Sequence, residues 1–439
     1  MKRYMRKSLI IILFIILFTI FGAASANAEN ASYYLAIAFK NSPLLKSQMH
    51  RSDAAREFYL KESFFSRNPL FSASYSNVPI SQWPALDKHP MSGISIGIAQ
   101  YLATPWEAHY RKSAVYQAFL SEKESVEDAR NMLALQVQST YHHIFFLQRK
   151  KIILEKNLLT LNDILRVAES MVMVNRMSST HLLKLRADRA TLSTTIIEVE
   201  GAIAGAQSEM DKLCGKTLAW NIPAEEVNGW MQQKVPDTPA DFNYTQHPHY
   251  RKMKILYEAQ KATHQLEKAK LSPGVTLGFE YRIREEIPMR DDGEDFISFK
   301  ASTPLPLFYP LTDRHRINAA ADKERELKEL LRKVQIELTT RWSGEKRNYL
   351  KLKDALSKFQ NEVLPGYLAA YKGQLASLSA GNVNLLDVLD AYRRYLGASM
   401  DEARLHRDLM ISALRLNYLL HHYPGRITHK KGERTDEKK

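Results

Sequence analysis

Two carboxylates three residues apart raise the first chemical possibility. In AGNVNLLDVLDAYRRYL, residues 380–396, Asp387 and Asp390 fall on one side of a predicted helix. Such a pair can be a solvated face, a metal or acid–base site, or the lining of a hollow. Histidines offer a second possibility: His142 with His143, His421 with His422, and His247 with His249 could ligate a metal. Adjacent helical residues point about 100° apart, however, and the H-x-x-x-H spacing that brings two rings to one ion does not occur. The chain has no G-x-S-x-G, P-loop, dinucleotide fingerprint or H-E-x-x-H. No catalytic residue, cofactor or metal ligand is therefore assigned, and the chain reads as a non-enzyme.

The elements that position the two acids begin with an export signal. Lys2, Arg3, Arg6 and Lys7 precede an apolar run from Leu9 to about Ala24, and SANA ends at Ala28, so residues 1–28 read as a cleaved secretory leader. Cys214 is the only cysteine, which excludes an internal disulfide and a cysteine-rich metal site. The formal charge of +14 falls to +10 without the four basic residues of the leader. On an exported chain with its bases scattered along helices, that balance describes a solvated surface and argues against nucleic acid. No later stretch offers the roughly twenty apolar residues of a membrane helix, which leaves a chain soluble outside the cytoplasm or one that crosses a membrane as a barrel.

An internal duplication organises the rest. NSPLLKSQMHRSDAAREFYLK from Asn41 aligns with QHPHYRKMKILYEAQKATHQLEK from Gln246, placing Pro43 on Pro248, Ala54 on Ala259 and, further on, Arg111 on Arg316 and Leu182 on Leu386. The expected domains are a first repeat over 29–215, a linker over 216–244, a second repeat over 245–423 and a charged tail over 424–439. Each repeat reads as a helix, two short strands and two very long helical segments, with the first helix spanning about Ala31 to Ser66.

The strands alternate with period two. Phe71 and Tyr75, then Ile94, Ile96 and Ile98, then Leu277 and Phe279, then Ile297 and Phe299 form apolar faces, opposite Ser72, Ser74, Ser95, Gly97, Glu280 and Lys300. Half-buried hairpins of a soluble sheet and a barrel wall with lipid outside and water inside both produce this pattern. Four strands cannot close a barrel with a lumen, so the second reading requires several chains to share one. The helices carry a coiled-coil seam: Leu154, Leu158, Leu161, Leu165, Ala168 and Val172 step by four and three, as do Leu182, Leu185, Arg189, Leu192, Ile196, Val199, Ile203, Ala206, Met210 and Leu213, with Arg189 the one polar entry. The proline-free run from Glu107 to Asn175 predicts a helix of roughly 100 Å. Helical hairpins turn at VNRMSSTHLL and SLSAGNVNLL, where Met177 aligns with Gly381.

Leader, duplication, element order and the motif GNVNLLDVLDAYRRYL from Gly381 together resemble the TolC-type outer-membrane efflux proteins, from about Ala31 to Tyr418. The resemblance implies a mainly α chain with a small β part. Its long antiparallel coiled-coil hairpins lie in two tandem repeats, each giving two strands to a homotrimeric, twelve-stranded transmembrane β-barrel that continues as a helical barrel in the periplasm. It implies an outer-membrane exit duct for small molecules such as drugs or metal ions, or a type I protein-secretion duct. It also implies a periplasmic adaptor docked at tip residues Met177, Ser178, Gly381 and Asn382, an inner-membrane transporter as energy source, and lipid against the apolar strand faces. Asp387 and Asp390 fall on the family's acidic pore positions, where stacked carboxylate rings attract cations and repel anions. This chain departs from the pattern at Val383, where some members carry a basic latch residue, and at Met177, where glycine is usual. A reading from a different class is an exported coiled-coil scaffold with a small soluble sheet, in which the apolar strand faces would be buried against the chain's own helices.

Overall fold

A computed structural model describes residues 31–62, 67–87, 89–175, 177–220, 222–235, 241–379 and 385–422. The leader, the C-terminal tail, and Gly381, Asn382 and Val383 lie outside the described residues. In chain order the elements are α1 (Ala31–Asn41), α2 (Pro43–Lys61), β1 (Leu70–Ser76), β2 (Gly93–Leu102), α3 (Pro105–Met173), α4 (Ser179–Cys214) and α5 (Ala224–Trp230). Then follow α6 (Pro248–Ala269), β3 (Val275–Ile283), β4 (Phe296–Ser302), α7 (Arg314–Lys358), α8 (Leu364–Ser379) and α9 (Leu385–Leu419).

The expected first helix is two. Pro43 has no N–H to donate and disfavours helical backbone at Ser42, so α1 stops and Pro43 opens α2, where its fixed φ suits a first helical position. The long helix of the second repeat is also interrupted. A wide π turn at Phe359–Val363 separates α7 from α8, just before Pro365, whose missing N–H cannot close the regular ladder.

The chain divides into two units, each drawing on both repeats. One, residues 47–128 and 245–337, holds an antiparallel sheet in the order β1-β2-β3-β4. Its central rungs join the repeats, pairing Ile98 with Phe279 and Ile96 with Tyr281. Gly274 leads into β3 beneath Leu102 and Tyr101. A Cβ there would stand 2.1 Å from the Leu102 carbonyl oxygen and 2.8 Å from the Tyr101 ring, so only glycine admits this approach.

The duplication reappears here as paired charges. Arg111 Nε donates to Glu62 Oε2 at 2.8 Å, and the equivalent Arg316 pairs with Glu267, both residues lying 205 positions further on. One contact has diverged: Tyr59 stacks on Phe119 in the first repeat, whereas the positions 205 later carry His264 and Glu324, with Nδ1 2.7 Å from the carboxylate.

The other unit, residues 31–46, 129–244 and 338–422 of the described chain, is built on the coiled-coil seam. Leu147, Leu154, Val199 and Ile203 form one buried cluster, and Leu161, Leu165, Ala168, Leu185, Leu385 and Leu389 another. Gly215 ends α4 with φ +65, the left-handed cap that accommodates glycine readily. No helix among the described residues is long and apolar enough to cross a membrane, which says nothing of a barrel.

Candidate functional site

The first turns of α9 set Asp387 and Asp390 on the exposed side of the helix, while Leu385, Val388, Leu389 and Tyr392 are buried on the other. That division follows from helical periodicity: the leucines enter the seam cluster with Leu161 and Leu185, and residues at i+2 and i+5 must then face outward. Asp390 has a local partner. Arg394 Nε donates to its Oδ2 at 2.9 Å, an i,i+4 pair with both side chains more than 60 % exposed and so screened by solvent. The neighbouring Arg393 pairs instead with Asp188 on α4, and Arg186 Nη2 donates to Glu169 Oε1 at 2.9 Å. Of these arginines, Arg393 and Arg394 follow the acids on the same helix, and Arg394 pairs with one of them. The Asp390–Arg394 pair is local, within DAYRR, whereas Arg393–Asp188 joins residues far apart in sequence.

At the first hairpin tip, Asn175 turns the chain with φ +57, and Ser178 caps α4, its Oγ accepting from the Thr180 N–H at 3.3 Å. Met177 is half-buried against the Leu161–Leu385 cluster, while Met173 is 83 % exposed. The second tip, with Gly381 and Asn382, lies outside the described residues.

The sheet separates two surfaces. Phe71, Ile98, Phe279 and Phe299 lie in one row across all four strands, and Ala73, Ile96, Tyr281 and Ile297 in the next. Phe71, Ile94, Ile96, Ile98, Leu277, Phe279, Ile297 and Phe299 are all exposed; Tyr75 is half-buried, with Trp83 edge-to-face at 4.7 Å. On the opposite face Arg282 reaches Ser95 Oγ at 3.1 Å and Ser76 Oγ at 3.0 Å, and Lys300 pairs with Glu280. An uncovered aromatic and β-branched face on one side, with small and hydrogen-bonded residues on the other, suits an apolar solvent outside and water within.

The histidines do other work. His142 and His143 part company: His142 is buried and His143 half-buried. His142 Nδ1 accepts from Trp230 Nε1 at 2.9 Å, and His406 Nε2 lies 3.1 Å from the Trp230 carbonyl oxygen, its ring edge-to-face with the indole at 4.8 Å. Sequence reading missed this trio because its members sit on α3, α5 and α9. Among the described residues no group of three or more histidine, cysteine, aspartate or glutamate side chains is arranged to hold a metal ion.

Burial, reinforced by His406 nearby, pushes the His142 pKa down to about 4 from 6.5. The folded state thus keeps the ring neutral. Its stability is complete above pH 6.5 and is lost as pH falls towards 4, by about 3 kcal/mol for this group at most. Thermal unfolding followed from pH 7 to 4 should show that loss. His142→Gln, whose amide oxygen accepts the indole proton without titrating, should flatten the profile; equal slopes in the two proteins would refute the assignment.

No protein-family model and no curated protein sequence matches the chain. Solved structures do. CusC, a transmembrane channel, is similar at a TM-score of 0.75 and 16 % identity over 90 % of this chain and 92 % of that one. The Campylobacter jejuni outer-membrane channel CmeC matches at 0.75 and 14 % over 90 % and 86 %, and the open state of the Neisseria gonorrhoeae outer-membrane channel MtrE at 0.74 and 14 % over 89 % of each. Agreement over nine-tenths of the chain at so low an identity reflects architecture: the strand order, the coiled-coil hairpins and their sequence of connection. The chain has the fold of the TolC-type outer-membrane channels.

Proposed function

We propose that the mature chain is a passive exit duct of the outer membrane, one component of a tripartite efflux system that carries small molecules such as drugs or metal ions. The observation that carries this reading is the exposed apolar face of the four-stranded sheet, with its hydrogen-bonded polar face behind it. Two edge strands, β1 and β4, are available to pair with neighbouring copies. Three chains supply the strand number of a lumen-bearing barrel. The partners are then two further copies of this chain, outer-membrane lipid, a periplasmic adaptor at Met177, Ser178, Gly381 and Asn382, and an inner-membrane transporter. The chemistry belongs to that transporter, and the duct is no enzyme. The boundaries at 28, 215, 244 and 423 belong to the same reading. A protein-secretion duct differs only in cargo. The envelope-scaffold alternative loses support, because its sheet would have to be covered by the chain's own helices.

Fractionation tests the reading. The mature protein should be recovered from the outer membrane as a species of three chains in detergent that dissociates on heating, and a soluble periplasmic monomer would sink it.

Within the duct, Asp387 and Asp390 are proposed to form carboxylate rings, moderated at Asp390 by Arg394. Asp387→Asn with Asp390→Asn should lower cation selectivity and weaken block by multivalent cations in planar bilayers, while Arg394→Ala shifts selectivity the opposite way. Currents unaltered in both variants would place the acids outside the conduction path.

A further inference from the structure

The ends of α3 and α6 nearest the strands carry a groove that the duct reading leaves unused. Trp106 follows Leu102, the last residue of β2, by four positions, and Tyr110 stands one helical turn further on. Facing them are Gln265 and Lys268 from the last turns of α6, then Leu271 and Ser272, which lead towards Val275, the first residue of β3. These side chains, with Ala269, line an open groove of about 450 Å³, within the range of small-ligand sites.

Its composition is specific in kind. Two rings with polar tips provide an apolar wall that tolerates water at one end. The exposed Lys268 supplies an ammonium, and the Gln265 amide and Ser272 hydroxyl supply neutral donors. A ligand that satisfies all of these has an anionic oxygen group joined to an apolar chain. Position narrows the class further. Leu102 pairs with Val275 on the last rung of the exposed apolar face, so the groove opens at the foot of that face. A second basic and aromatic cluster lies beside it, where Lys112 Nζ sits 5.8 Å from the Tyr59 ring centroid. The buried Glu107, bonded to Tyr101 of the polar sheet face at 2.8 Å, is one residue round the helix from Trp106 and does not line the groove.

We propose that this groove seats a phospholipid of the leaflet bordering the helical part of the chain, its phosphate on Lys268 and its glycerol and upper acyl carbons against Trp106 and Tyr110. The inference rests on the reading of the sheet as a membrane wall. Lipid held here fixes the depth of the chain in the bilayer, because the aromatic rings and the ammonium mark one level directly below the last strand rung.

The test uses full-length protein extracted in mild detergent from the outer membrane, as wild type and as Lys268→Ala combined with Trp106→Ala. Phosphatidylglycerol is added and bound lipid is counted by native mass spectrometry. Wild type should retain lipid about tenfold more tightly than the double variant, the scale of one charge-assisted contact. An excess of inorganic phosphate should not displace it. Should the double variant fail to assemble, Lys268→Gln alone provides the comparison, and fluorescence quenching by phospholipid brominated near its ester groups should fall with Trp106→Phe. Equal retention in outer-membrane wild type and variant overturns the groove and leaves the duct standing. Displacement by phosphate marks a free-anion site and overturns the lipid. Wild type absent from the membrane fraction removes both.

Discussion

Phe279→Arg is expected to remove the protein from the outer-membrane fraction. Phe279 sits in the middle of β3, between Ile98 and Phe299 in register, with its ring 5.6 Å from that of Phe299, and the row is exposed among the described residues. In the proposed duct an arginine there would meet hydrocarbon, at a cost of about 2–4 kcal/mol near the bilayer midplane, and the cost would recur in every copy that shares the wall. Ile96→Arg, on the adjoining row, should act alike. The control is Ser298→Arg, which adds the same charge across from Glu280 on the polar face and should assemble normally. Recovery of Phe279→Arg and Ser298→Arg in equal amounts would mean that neither face of the sheet meets lipid.

Trp230→Ala should be the most damaging single change in the coiled-coil unit. The indole is fully buried, held edge-to-face by His406 and tilted against Phe145 at 6.4 Å. Truncating such a side chain costs about 3–5 kcal/mol through lost burial and the cavity left behind. It also strips His142 Nδ1 of its donor, adding about 1–3 kcal/mol if water does not replace it. Trp230→Phe keeps most of the ring and loses only the N–H, so its loss should be intermediate. Thermal unfolding and limited proteolysis at neutral pH give the order wild type, Phe, Ala; a Phe variant as weak as Ala would show that the hydrogen bond, rather than packing, dominates.

Much of this architecture was legible because its signals are local. The alternation of Ile94, Ile96 and Ile98 follows from the two-residue repeat of a strand, and the steps of Leu154, Leu161, Leu165 and Ala168 from helical pitch. The duplication can be read by alignment, and it relates the Glu62–Arg111 pair of the first repeat to Glu267–Arg316 of the second. The breaks at Pro43 and at the turn before Pro365 were present in the sequence too. A proline interrupts a helix through one missing N–H and the clash of its ring with the preceding turn, while the apolar pattern carries on across it.

The acids that opened the question show where local signals stop. Their three-residue spacing put Asp387 and Asp390 on one side of α9, but Leu385 and Leu389 entering a cluster with Leu161 and Leu185 decided that this side faces outward. The sequence by itself determined the strands and their two faces, the seam and the repeat. Only the tertiary structure decided that β2 of one repeat pairs with β3 of the other, that Arg393 turns to Asp188, and that Trp230 lies between His142 and His406. The physical reason is that periodicity is imposed by the geometry of neighbouring peptides. Contacts between residues 88 to 205 positions apart are chosen by competition among all the surfaces that the chain could bury, and that choice is written in no single segment.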